Sequence, residues 1–183
     1  FTNAYSLLRP TEFVPNANLS AHFPYAAQIL MSMWQNQSGQ KLDGALAIDP
    51  IALSYILKHT GPVTLPNGDV ITADNVVPIT LSTSYVRFAN NTVARKAYLQ
   101  VIAAAVFDKV QDSKADTRGL LDALGRGVAE NRIMIYSSHP DEQKILETTT
   151  LAHTIGDYQG PFAYVLVRNQ AGNKIDYYLK RAI

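Results

Sequence analysis

Residues 42–76 read LDGALAIDPIALSYILKHTGPVTLPNGDVITADNV, and this stretch decides the fold class. Segment 42–48 alternates and then runs apolar, as a buried strand does. Asp49 is placed to cap a helix and Pro50 to open it: an aspartate oxygen accepts from the first unbonded amides, and proline lacks an N–H that a helix start leaves unused anyway. Gly61 closes that helix. Asn67-Gly68 then stands between two short β-prone runs, the arrangement that turns a chain back on itself as a hairpin. A strand feeding a helix and then a hairpin implies alternating elements and an α/β class.

The alternation continues in both directions. Pro24 lies at a helix start, and Ala26, Ala27, Leu30, Met31 and Trp34 recur at helical spacing up to Gly39, with HFPYAA (22–27) leading in. Thr72 or Asp74 caps a short helix whose length Pro78 limits. Thr92 precedes a long helix in which Ala94, Tyr98, Val101, Ile102 and Ala105 share one face, and the alanines beside them predict a core helix buried through much of its length. Asp116 caps the next helix, weakened by Gly125 and Gly127. RIMIYSS (132–138) reads as a compact strand, and HPDEQKILE (139–147) as a helix with proline and acids in its first turn. Segment 161–183 alternates as two strands around Gly172-Asn173. The sum is about five or six helices and about six strands. The expectation is therefore an α/β sandwich with a mixed sheet packed between helices and a C-terminal β-hairpin, as one domain over 1–183.

Composition narrows the function. The 183 residues are 47% hydrophobic and 17% charged, a globular balance. With 16 basic and 15 acidic side chains in no like-charged block, the chain lacks a field that would draw nucleic acid or anionic lipid, so any cation site is local. It has no cysteine, which excludes disulfides, thiolate metal sites and thiol nucleophiles and agrees with a secreted or surface-exposed bacterial protein. The longest uncharged apolar stretch, Ala97 to Phe107, is about half of what a bilayer crossing needs. The sequence opens at Phe1 without a charged and apolar leader. It is expected to be the C-terminal part of a longer chain, with membrane association supplied only by segments outside it.

The sequence has no phosphate-cradling glycine loop, no nucleophile elbow and no zinc-binding helix motif. His22, His59, His139 and His153 sit in separate segments without ligand spacing. His139 before Pro140 reads as a capping loop, Asp49 as an N-cap, and Asp43 before Gly44 as a turn residue. Three sequons, beginning at Asn18, Asn36 and Asn90, are too common in polar loops to carry weight. The cations of SYVRFANNTVARK (84–96) are different. Arg87 lies in an aromatic, strand-like or extended piece, and Arg95 and Lys96 occupy the first turn of the long helix. Cations are unfavourable there, because the helix dipole is positive at that end, unless an anion joins them. Guanidinium, ammonium and helix amides converging on one turn describe a phosphate or pyrophosphate site. The competing reading is that Arg95 and Lys96 are solvated and Arg87 pairs with a nearby carboxylate.

Residues 42–76, with HFPYAA before them and RIMIYSSHPDEQ (132–143) and NKIDYYLKR (173–181) after them, resemble the family catalogued as domain of unknown function 4012. These are bacterial envelope-associated proteins, many from actinobacteria, and the resemblance runs from about Asn16 onward. A more distant likeness is to the LytR-CpsA-Psr glycopolymer transferases. FTNAYS (1–6) is similar to their helix opening, LDGALAIDPIALSYILKHTGPVTL (42–65) to their strand, helix and hairpin lead, and TADNVVPITLSTSYVRFANNTVARKAYLQVIAAAV (72–106) to the stretch that carries two arginines. That likeness implies Arg87 and Arg95 as ligands of a polyprenyl-linked pyrophosphate; Lys96 is added from its position. The aspartate those enzymes carry between the arginines is replaced by Asn90 and Asn91, and their metal-binding half has no counterpart here. No cofactor is evident and no metal ligand is assigned; Mg²⁺ would enter only in the full-length protein, as would phosphotransferase-like transfer of the glycopolymer.

Three functions follow as expectations. The first is an extracellular or cell-envelope protein, membrane-anchored in full length, that binds or transfers a polyprenyl-pyrophosphate-linked glycan or cell-wall polymer. The second is a non-catalytic extracellular module recognising glycan or protein partners, with Arg87 paired internally and an aromatic patch from Tyr158, Phe162, Tyr177 and Tyr178. An independent hydrolase is the third and has no nucleophile–base motif behind it.

Overall fold

The structure, a computed structural model, describes residues 9–18, 20–111, 116–156, 159–161, 163 and 177–178. After a one-turn helix, Val14–Ala17, the elements are α1 (Phe23–Ser38), β1 (Gly44–Ile48), α2 (Pro50–Thr60), β2 (Val63–Thr64) and β3 (Val70–Ile71). There follow α3, a continuous helical run over 76–87, then α4 (Thr92–Gln111), α5 (Thr117–Ala129), β4 (Ile133–Ser137), α6 (Pro140–Glu147) and a 3₁₀ turn, Thr150–Ala152. The α/β class holds. Among the described residues the strands form two two-stranded sheets, β1 with β4 and β2 with β3. The C-terminal hairpin and the FTNAYS segment lie outside the described residues.

Contacts divide the chain into two compact units, Phe1–Ala47 with Val128–Leu166, and Ile48–Gly127 with Val167–Ile183. In the first unit, Phe23, Ala26 and Ala27 of α1 pack on Ala45 and Ala47 of β1 and on Met134 and Tyr136 of β4. Gly44 is required where these strands meet, because a Cβ there would stand 2.5 Å from the Tyr136 carbonyl oxygen. The buried-strand expectation for 42–48 is corrected. Only alternate positions face α1, and Leu46 is 54% exposed. Likewise α1 is buried at its N-terminal turns, while Trp34 is exposed and bonds through its indole N–H to Gln40 at 3.3 Å.

The second unit builds its core from α2, the β2–β3 hairpin, α3 and α4, around Ile56, Leu57, Val63, Leu65, Ile71, Val76, Tyr98, Ile102 and Val106. Local chemistry places the helix caps and the hairpin turn as the sequence predicts. Asp49 Oδ1 accepts from Ala52 N–H at 2.8 Å, and the Gly61 N–H returns to the Leu57 carbonyl. The hairpin pairs Val63 with Ile71 and Thr64 with Val70, antiparallel. Its loop closes through Gly68 N–H to Leu65 and Leu65 N–H to Asp69, both 2.9 Å, with Gly68 at φ 86°. Asp116 caps α5 through Gly119 N–H at 3.0 Å.

Two expectations for this unit are corrected. Residues 84–87 are helical, not extended: Val76–Pro78 leads into a π-turn, Ile79–Thr83, and on into Ser84–Arg87. Pro78 does not stop the run because it sits in the first turn, where its missing N–H is not needed. Thr72 accepts from Asn75 N–H and Asn75 reciprocates toward Thr72 N–H, a reciprocal cap at 3.2 and 2.8 Å. Downstream, Thr80 and Ser84 hydroxyls bond back to the carbonyls of Val76 and Thr80, at 2.7 and 3.4 Å. The second correction concerns α4, which buries only the stripe Tyr98, Ile102 and Val106; Val101 and Phe107 are exposed.

Candidate functional site

Arg87 ends α3, a place where the negative end of the helix dipole favours a cation. Its guanidinium lies against the rings of Tyr98 and Phe88, with Cζ 5.2 and 5.4 Å from their centroids. Its Nη1 donates to Asp69 Oδ2 at 2.5 Å. The same oxygen accepts from the Tyr98 hydroxyl at 2.8 Å and from Asn67 Nδ2 at 2.9 Å, while the Asp69 N–H donates to Asn67 Oδ1 at 3.1 Å. The hairpin loop thus carries the carboxylate, α3 the guanidinium and α4 the phenol. These bonds, the Tyr98 hydroxyl foremost and then Arg87 and Asn67, hold the Asp69 carboxyl below its ordinary value. Burial, and secondarily the carboxylate, push the Tyr98 phenol up, and Asp69 raises Arg87 further.

Beside this network is a cavity of about 180 Å³, lined by Asp69, Val70, Ile79, Thr83, Ser84, Arg87 and Tyr98. One residue before Thr83, Ser82 shares a 2.5 Å hydroxyl contact with Tyr178. Tyr178 meets Tyr177 edge to face, centroids 4.9 Å apart, and is 66% exposed. The other two members of the expected aromatic patch, Tyr158 and Phe162, lie outside the described residues.

Arg95 is elsewhere in the local packing. Its guanidinium stacks on Tyr85, 4.0 Å from the ring centroid, and its buried Nε has no hydrogen-bond partner. Lys96 is exposed. Asn91 caps α4 by accepting from Ala94 N–H at 2.9 Å, which occupies one of the amides an anion at this turn would use. Among the described residues Arg87, Arg95 and Lys96 share no partner, and Arg87 alone of the three lines the cavity.

Sequence reading missed Asp69 and Tyr98 as site residues. Asp69 was absorbed into the Asn67-Gly68 turn and Tyr98 into the core face of α4. The usable signal was the pairing option itself, an arginine among aromatics with one carboxylate at the end of a nearby hairpin turn. Elsewhere Asp49 caps α2 as expected, whereas at Asp43 the backbone carbonyl accepts from Ser138 N–H at 2.8 Å and the carboxylate stands 3.6 Å from His139 Nε2. Among the described residues no group of three or more His, Asp or Glu is placed to hold a metal ion, and no helix is long and apolar enough to cross a membrane.

Residues 1–85 match the family described as Protein of unknown function (DUF4012). The match covers less than half of the chain; it starts earlier than Asn16 and stops two residues before Arg87, so the cations and everything from α4 onward lie beyond it. Neither a curated protein nor a solved structure matches the chain.

Proposed function

We propose that this chain is a non-catalytic binding module of the bacterial cell envelope, which recognises a glycan at the cavity between the hairpin, α3 and α4. The observation that supports this reading is the pairing of Arg87 with Asp69. The lining is then not a bare cation but a mixed set of donors and acceptors, a carboxylate, a guanidinium and the hydroxyls of Thr83, Ser84 and Tyr98. Sugar hydroxyls both donate and accept, so they match such a set; a pyrophosphate only accepts, and would meet Asp69 as a like charge. Tyr177 and Tyr178 add an exposed aromatic surface beside Ser82, suited to the apolar face of a sugar ring.

A second reading has its own support. The partnerless Nε of Arg95 and the exposed Lys96 beside it are compatible with a polyprenyl-pyrophosphate-linked glycopolymer, bound here and transferred in the full-length protein. The residues present do not make a Mg²⁺ site, since Asp69 is the one carboxylate lining the cavity and three donors occupy its Oδ2. No transfer step is derived from them.

Calorimetry separates the two readings. A neutral cell-wall oligosaccharide and geranyl pyrophosphate are titrated into the wild type, Tyr178→Ala, Asp69→Asn and Arg95→Ala. Glycan recognition predicts oligosaccharide binding that Tyr178→Ala weakens about tenfold, the size of one lost stacking contact, with no gain for pyrophosphate in Asp69→Asn. Pyrophosphate binding that Arg95→Ala weakens, with no oligosaccharide heat, overturns the glycan reading in favour of the second.

A further inference from the structure

Tyr55, Lys58 and His59 of α2 oppose Asp122, Ala123 and Arg126 of α5 around a cavity of about 150 Å³. The spacings, i, i+3, i+4 on one helix and i, i+1, i+4 on the other, put each trio on a single face. His59 is fixed by its surroundings. Its Nδ1 stands 3.4 Å from Asp116 Oδ2, and Asp116 is itself tied to the Gly119 N–H. The ring rests so close to the bare backbone of Gly119 that an added Cβ would stand 2.1 Å from Nδ1. A carboxylate at Nδ1 sets that nitrogen as the N–H.

Arg126 lies flat over Tyr55, 4.1 Å from the ring centroid. Stacking uses the face of a guanidinium and keeps its five donors in plane, so one ligand contact is compatible with its other bonds. Lys58 is in the last turn of α2. Lys58 and Arg126 supply two cations to the lining against the single carboxylate of Asp122. Asp122 in the lining and Asp116 at His59 oppose a phosphate dianion, and the Tyr55 ring and Ala123 supply an apolar wall.

We propose that this cavity is a binding site for a small monocarboxylate, its headgroup held by Lys58 and Arg126 and its apolar body lying against Tyr55 and Ala123. The site is separate from the Arg87 cavity and does not depend on the glycan reading. The test is an amide NMR titration of the full chain with butyrate, with butyramide and inorganic phosphate in parallel. Butyrate is expected to shift the Gly119 and Ala123 amides. Arg126→Gln, at an exposed position, is expected to weaken binding about tenfold, as one lost charge-assisted hydrogen bond would give. Absence of a butyrate shift, equal shifts with butyramide, tighter binding of phosphate, or an Arg126→Gln affinity equal to that of the wild type overturns the proposal.

Discussion

Asp69 Oδ2 accepts three hydrogen bonds, from Arg87, Tyr98 and Asn67, and each donor comes from a different local context. A carboxylate so placed is worth more as an organiser of direction than as a charge pair, because surface ion pairs contribute little. Tyr98→Phe keeps the ring that packs on Phe88 and Arg87 and removes the hydroxyl bond. It is expected to cost about 0.5–1.5 kcal/mol, read from the urea midpoint at unchanged slope. The pH effect has a definite sign. Hydrogen bonds depress the Asp69 carboxyl in the folded state, so its contribution is present above the ordinary aspartate value of about 3.9 and is lost as pH falls through the lower folded value. Asp69→Asn should therefore flatten the acid limb of the stability curve below about pH 4; an acid-unfolding profile with the same slope as the wild type would refute this. That Arg87 pairs internally was a legible option, but its partner was not. The two residues stand 18 positions apart, and nothing local in either segment points to the other.

At the scale of elements, what was legible was what the chain decides within four residues. Asp49, Asp116, Gly61 and Asn67-Gly68 each satisfy or release a backbone group close by, so their turns and caps fall where residue chemistry puts them. Helix α3 was not legible, because its continuity depends on a π-turn and on Thr and Ser hydroxyls bonding backward, which no spacing rule expresses. The start of α1 offers a pH-dependent element. Ile155 N–H donates to His22 Nδ1 at 3.1 Å, and Phe23 N–H donates to the His153 carbonyl at 3.1 Å, so two bonds tie residues 153–155 to this helix end. Burial lowers the His22 value, with Glu147 opposing and His153 assisting. A depressed folded value means the contribution is present above about 6.5 and lost as pH falls through the folded value, when Nδ1 ceases to accept. Exchange of the Ile155 amide, corrected for intrinsic pH dependence, should accelerate below about pH 6 in the wild type and be fast at every pH in His22→Ala. In the same unit, Gly44→Ala must displace a backbone carbonyl 2.5 Å from its new methyl group, and is expected to cost about 1–3 kcal/mol in denaturant unfolding.

For the molecule as a whole, a composition with net charge +1 leaves stability to burial, and the second unit shows where that burial is. The long helix α4 reads as apolar on every side, because alanines and valines occupy both faces and blur the amphipathic signal that would separate core from solvent. The structure divides it. Tyr98, Ile102 and Val106, at i, i+4 and i+8, face the core, while Val93, 80% exposed, lies about half a turn away around the axis from Ile102. Two apolar β-branched side chains on one helix are thus predicted to differ widely in what they hold together. Ile102 is 1% exposed and packed in the cluster with Ile71 and Val76, so Ile102→Ala removes buried methyl groups and leaves a cavity; a loss of about 2–5 kcal/mol is expected. Val93→Ser exchanges one solvated side chain for another and should stay within about 0.5 kcal/mol of the wild type. Chemical denaturation of both variants, followed by far-UV circular dichroism, reads the difference. If Val93→Ser destabilises as strongly as Ile102→Ala, this face of α4 is covered in solution and the one-sided burial of the helix is wrong.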